Sequence, residues 1–291
     1  MALAVLAGQE GPPGAPPSPS GPKAEAFGRL FCLDLVAAPF PHRARNAGFT
    51  YEGDYIPRQG HYDDPSVSVF IPAGLQPTGK VDLVFFFHGW YSSVAEAERD
   101  FDLFRQFSAS GVKAILVLPE TAREAPDSFG GKLEDEDGFT ALVDELLVRL
   151  HSEGATPRLR AGRIALLGHS GAYHVIARIL GQGGAAAKVA EVCLFDALYG
   201  DLEAFSDWAQ SAKGSFVSIS SEGGEPADNA LDMALSLRKA GFEVEEGRDD
   251  PGADALLAHR IVFLTSAYDH GSLVVQGDEL RRVLAAAFAG R

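Results

Sequence analysis

Arg163-Ile164-Ala165-Leu166-Leu167 runs directly into Gly168-His169-Ser170-Gly171-Ala172 and then into Tyr173-His174-Val175-Ile176-Ala177-Arg178-Ile179-Leu180. The first stretch is short and apolar, which reads as a buried strand. The last carries apolar residues at helical spacing, which reads as a helix. Between them a serine sits in a Gly-x-Ser-x-small turn, with Ala172 where a final glycine could stand. Strand, sharp turn and helix together lift such a serine clear of a sheet edge. The same geometry leaves the Gly171 N–H at a helix N-terminus, where it can stabilise a developing oxyanion.

Outward from this point, residues 67–71 alternate like a strand and stop at Pro72, and further strands are predicted over 81–87, 113–118, 191–195, 215–220 and 260–265. Amphipathic stretches predict helices over 95–108, 138–151, 201–211, 227–240 and 279–288. Residues 24–65 read as irregular. Apolar strands alternating with amphipathic helices predict an α/β fold with a mostly parallel central sheet and helices on both faces.

The elbow at Ser170 resembles that of the α/β-hydrolase superfamily. A second feature agrees: Val81-Asp82-Leu83-Val84-Phe85-Phe86-Phe87 ends in His88-Gly89-Trp90. In that superfamily, a strand running into His-Gly-x supplies the other half of an oxyanion hole. The resemblance therefore implies that the backbone N–H groups of Trp90 and Gly171 hold the oxyanion. It extends from about residue 67 to the C-terminus. The chain also resembles a bacterial subgroup marked by His61-Tyr62-Asp63-Asp64, Phe87-His88-Gly89-Trp90, Ala125-Pro126-Asp127-Ser128 and Phe195-Asp196-Ala197-Leu198-Tyr199-Gly200. The superfamily's cap usually inserts between the strands at 191–195 and 215–220. Only 19 residues, 196–214, lie there. That is room for a loop and one helix, so no large cap domain and an open site are expected. Residues 24–65 could still fold back as a substitute cover.

A serine hydroxyl is a weak nucleophile at neutral pH and needs a base oriented by a carboxylate. His270, in Ser266-Ala267-Tyr268-Asp269-His270-Gly271, follows the last strand and is the candidate base. His259 precedes that strand. Two carboxylates compete for the role of acid. Asp196 continues the strand 191–195 without a break. Glu222, the alternate, lies beyond strand 215–220 in a glycine-containing loop, with Glu225 and Asp228 behind it. Asp196 is favoured because the strand sets its direction; a helix-capping role is its structural alternative. His88 is expected to fix its loop, and His169 and His174 to pack. Tyr91 and Tyr199 fall at loop edges suited to substrate binding.

One histidine and two adjacent carboxylates at 61–64 do not make a zinc site. The acidic run 134–137 reads as a solvated turn. No metal and no cofactor are implied. The formal net charge of −15 argues against nucleic acid and against an anionic membrane surface. Cys32 and Cys193 are too few for a disulfide framework, and Cys193 reads as core. No run reaches the ~18 apolar residues of a membrane span. Residues 1–23 read as an apolar start followed by a proline-rich, disordered tether, and 24–291 as the hydrolase domain. The start resembles the tail of an export signal, so a periplasmic or secreted protein is expected, with a cytoplasmic one as the alternative.

The expected function is a serine hydrolase that cleaves a carboxylic ester, small or polymeric, through an acyl-enzyme. The same residues would serve an amidase or peptidase. A non-catalytic binding protein on the same scaffold is the rival from another class. Ser170, a carboxylate and His270 occurring together weigh against it. Nothing in the sequence addresses oligomeric state.

Overall fold

The computed structural model describes residues 22–211, 214–249, 256 and 259–288. The proline-rich residues 1–21 lie outside them. All seven expected strands form, and two more join them in one nine-stranded sheet. In chain order these are β1 (Gly28–Asp34), then a separate hairpin of β2 (Phe49–Tyr51) and β3 (Asp54–Ile56), then β4 (Ser66–Pro72), β5 (Lys80–Phe87), β6 (Ala114–Pro119), β7 (Arg160–His169), β8 (Val189–Phe195), β9 (Ser215–Ser221), β10 (Glu245–Arg248) and β11 (Ile261–Ser266). The large sheet has the order β1-β4-β6-β5-β7-β8-β9-β11-β10. Its first two pairings are antiparallel and the rest parallel.

The central strands are apolar on both sides because helices cover both faces. Along β5, Val81, Leu83, Phe85 and Phe87 enter one core cluster, while Val84 and Phe86 enter the other. That is the two-residue alternation of a pleated strand. The first cluster is completed by α4 (Gly138–Ser152), α5 (Tyr173–Leu180), α6 (Leu202–Ser211) and α7 (Glu225–Lys239), through Leu142, Val175, Phe205 and Met233. The second is completed by α1 (Pro22–Phe27), α2 (Val94–Asp100), α3 (Leu103–Ala109), α8 (Leu273–Gln276) and α9 (Glu279–Phe288), through residues such as Phe104, Leu273 and Leu284. Each fully buried phenylalanine contributes on the order of 2 kcal/mol. Among the described residues no helix is long and apolar enough to cross a membrane.

Three expectations need correction. The single helix over 95–108 is two helices, because Asp102 adopts a left-handed backbone (φ 49°) and its carboxylate pairs with Arg105. The short edge strand β10 is additional. Residues 24–65 are not irregular: β1 pairs antiparallel with β4, and β2–β3 form a hairpin turned by Glu52 and Gly53, both at positive φ.

The hairpin is pinned to the body by Arg45. Its guanidinium meets Asp127 at 2.6 and 3.1 Å and lies over the rings of Phe49 and Phe129. Phe49, Ile56 and Phe129 pack on a third cluster of Phe40, Tyr62, Ala122 and Ala125. Between β8 and β9 the described chain supplies only α6, whose Phe205 and Ala209 are buried in the main core.

Candidate active site

The parallel strands β5, β7, β8 and β11 all point the same way, so their C-terminal ends share one edge of the sheet. The loops after them carry Trp90, Ser170, Asp196 and His270. Ser170 has φ 56° and Asp196 φ 44°. Non-glycine residues in this region cost about 1–3 kcal/mol each and cluster at functional sites. At Ser170 the strained turn is held from below by β7 and from above by α5.

His270 Nε2 lies 3.0 Å from Ser170 Oγ, and His270 Nδ1 lies 2.7 Å from Asp196 Oδ2. Asp196 is 3% exposed. Ser221 completes its environment: the backbone N–H donates to Oδ1 at 2.9 Å and the hydroxyl to Oδ2 at 2.8 Å. Burial works to raise the Asp196 pKa, but the hydrogen bonds from His270 and Ser221 outweigh it and hold the carboxyl below its ordinary value. The carboxylate is therefore charged and can fix the His270 tautomer. His270 itself is open to solvent, its side chain 43% exposed. Its loop is tied by Asp269, whose Oδ1 accepts from Gly271 N, Ser272 N and Ser272 Oγ.

Glu222, the alternate acid, does not reach His270. Its side chain is 57% exposed and pairs with Arg248. The distinction follows from the backbone. Asp196 is held by its own N–H donating to Ile219 O at 2.7 Å, whereas Glu222 lies one residue past the end of β9.

The Gly89 loop passes hard against the serine. A Cβ at Gly89 would sit 2.6 Å from Ser170 Cβ, so only glycine fits. His88 anchors this loop from beneath, with Nδ1 2.8 Å from Gly89 O and Nε2 2.8 Å from Glu120. Burial opposes protonation of His88, but Glu120 and Gly89 overcome it and raise its pKa. Glu120 also accepts from Val94 N at the start of α2, joining loop and helix. The Trp90 indole lies against Gly171, where any Cβ would collide with it, and its Nε1–H donates to Ser128 Oγ at 2.7 Å. Trp90 and Gly171 therefore meet beside Ser170. Tyr91 is 63% exposed beside Trp90 with φ 51°. Tyr199 stands 6.4 Å from the His270 ring and 6.2 Å from Tyr173.

Three features escape the sequence. His169 does more than pack: Nε2 lies 2.8 Å from the backbone oxygen of His270. His174 is not a packing residue either; it is half-buried between Asp201 at 2.7 Å and Glu134 at 3.5 Å. Tyr51 at the end of β2 meets Trp90 edge-on at 5.3 Å. The only advance signal for Tyr51 is the Glu52-Gly53 turn. At 61–64, His61 Nδ1 is satisfied by Arg123 O, while Asp63 and Asp64 cap the Gly60 and Ser66 N–H groups.

No protein-family model matches the chain, and no curated protein matches it in sequence. Solved structures do match in fold. The feruloyl esterase module of Clostridium thermocellum, complexed with sinapinate, aligns with a TM-score of 0.54 at 13% identity, over 94% of this chain and 92% of that one. FphF, a fluorophosphonate-binding serine hydrolase of Staphylococcus aureus, aligns at 0.53 and 12% identity, over 89% and 97%. A bacterial heroin esterase aligns at 0.50 and 17% identity, over 90% and 84%. The fold is the α/β-hydrolase fold.

Proposed function

We propose that the protein is a serine hydrolase that cleaves carboxylic esters through an acyl-enzyme. Ser170 Oγ attacks the carbonyl carbon as its proton passes to His270 Nε2. Asp196 stabilises the imidazolium that forms. The oxyanion is held by the N–H groups of Trp90 and Gly171. When the tetrahedral species collapses, the C–O bond to the alcohol breaks and His270 returns the proton to the leaving oxygen. Water, deprotonated by His270, then attacks the acyl-enzyme and releases the acid and free Ser170.

One observation carries this reading: the unbroken hydrogen-bonded series Ser170–His270–Asp196 at 3.0 and 2.7 Å, on three loops of one sheet edge. That the neighbours in fold are esterases and a serine hydrolase supports an ester. The test is hydrolysis of p-nitrophenyl esters of graded acyl length. The wild type should turn them over, and a folded Ser170→Ala variant should lose several orders of magnitude in kcat. Equal rates in the two proteins would refute the mechanism.

A further inference from the structure

The hairpin β2–β3 is far from the elbow in sequence, yet its Tyr51 reaches the residue proposed to hold the oxyanion. Sheet order settles which part of a substrate it would meet. β5 flanks β7 on one side; β8, β9 and β11 lie on the other. Trp90 and His270 therefore approach Ser170 from opposite sides. His270 must hand its proton to the leaving alkoxide, so the alcohol lies on the His270 side. With the oxyanion turned to the Trp90 and Gly171 N–H groups, the acyl substituent is left on the side away from His270, the side that carries the Trp90 indole and, packed against it, Tyr51.

That wall is aromatic and preset. The Tyr51 and Trp90 rings are 5.3 Å apart at 72°, an edge-to-face pair. Trp90 cannot swing away easily, because Ser128 holds its Nε1–H and Gly171 lies under it. Tyr51 is set by the hairpin register, in which it pairs with Asp54, and by the Arg45–Asp127 anchor. Glu52, next in the chain, is exposed and helps to raise the Tyr51 phenol pKa, after the larger contribution of desolvation. A carboxylate at this wall would meet that negative charge.

From this geometry we infer that the acyl side of the site selects a flat, uncharged aromatic group, with Tyr51 as the specificity-determining residue. The inference rests on ester hydrolysis at Ser170.

The test compares kcat/KM of the full chain for methyl 3-phenylpropanoate and methyl 3-cyclohexylpropanoate. The two acyl groups are similar in size and differ in flatness. The phenyl ester should be preferred by about five-fold or more, the scale of one aromatic pair. Tyr51→Ala should bring the ratio close to one, and Tyr51→Phe should keep it. A wild type without preference, a Tyr51→Ala variant that retains it, or turnover of p-nitrophenyl acetate but of neither methyl ester would overturn the inference. In each of those cases ester hydrolysis at Ser170 would stand. No turnover of any ester, with Ser170 unreactive toward a fluorophosphonate, would overturn both.

Discussion

His169 Nε2 lies 2.8 Å from the carbonyl oxygen of His270, and the two imidazoles are 4.5 Å apart. The residue before the candidate nucleophile thus holds the backbone of the candidate base. His270 sits in a loop open to solvent, and this buried donor holds its backbone from the sheet side. Burial and the neighbouring His270 push the His169 pKa down to about 4. At neutral pH the ring is therefore uncharged and adds no repulsion when His270 becomes an imidazolium.

His169→Phe should keep the packing against Phe101, 4.8 Å away, and lose the donor. A hydrogen bond of about 1 kcal/mol corresponds to roughly a five-fold fall in kcat. His169→Gln, which retains an N–H, should recover part of it. Steady-state kinetics on an ester that the wild type hydrolyses would decide. Equal kcat for His169→Phe and wild type would exclude a positioning role.

Asp196→Asn should reduce kcat by about 10⁴-fold, as removal of a triad carboxylate does elsewhere. Glu222→Gln should leave kcat within about two-fold of the wild type, because its side chain is exposed and pairs with Arg248, not with His270. The reverse ranking in two folded variants would move the acid to Glu222.

The hydrogen bond to Glu134, opposed by burial and reinforced by Asp201, raises the His174 pKa to about 9. Its folded pKa is above the unfolded value. The stabilisation is therefore complete below about 6.5 and lost as pH rises through 9. His174→Gln should lower the melting temperature at pH 6, and the deficit should close by pH 10. A deficit independent of pH would mean that packing, not charge, is what His174 supplies.

Glu279 opens α9 fully buried beside Asp249, with Arg282 2.8 Å from Asp249 and 3.7 Å from Glu279. Burial first, and then Asp249, push the Glu279 pKa up to about 9. The folded state holds a proton here that the unfolded chain releases above its ordinary pKa. Stability must fall on this account as pH rises from about 4.5 toward 9. Calorimetry on Glu279→Gln should give a smaller drop in melting temperature between pH 5 and pH 8 than the wild type shows. A steeper drop would contradict this origin.

The seven expected strands all form; those that are continuous apolar runs, such as 81–87 and 113–118, are buried on both faces, so composition marks them, whereas 67–71 is marked by its alternation. β10 is Glu245-Glu246-Gly247-Arg248, without an apolar residue. It exists only because β11 offers an edge, and nothing local announces it. The break at Asp102 is equally hidden, since Phe101, Phe104 and Phe107 keep helical spacing across it. At the site, the strand–turn–helix pattern made Ser170 legible, and the Phe195-Asp196 junction made Asp196 the favoured acid. The His169–His270 bond spans 101 residues and leaves no local pattern. Tyr51 was illegible for the same reason: its partner Trp90 lies on a different element, and only the fold brings them together.

If Ser170 is a nucleophile activated by His270, it can be trapped covalently. The full chain would be treated with a fluorophosphonate and the modified residue located by peptide mass spectrometry, with His270→Ala alongside. One adduct on Ser170 in the wild type, formed far more slowly in His270→Ala, is the result expected. An unmodified Ser170, or labelling at the same rate without His270, would rule out a Ser170 nucleophile activated by His270.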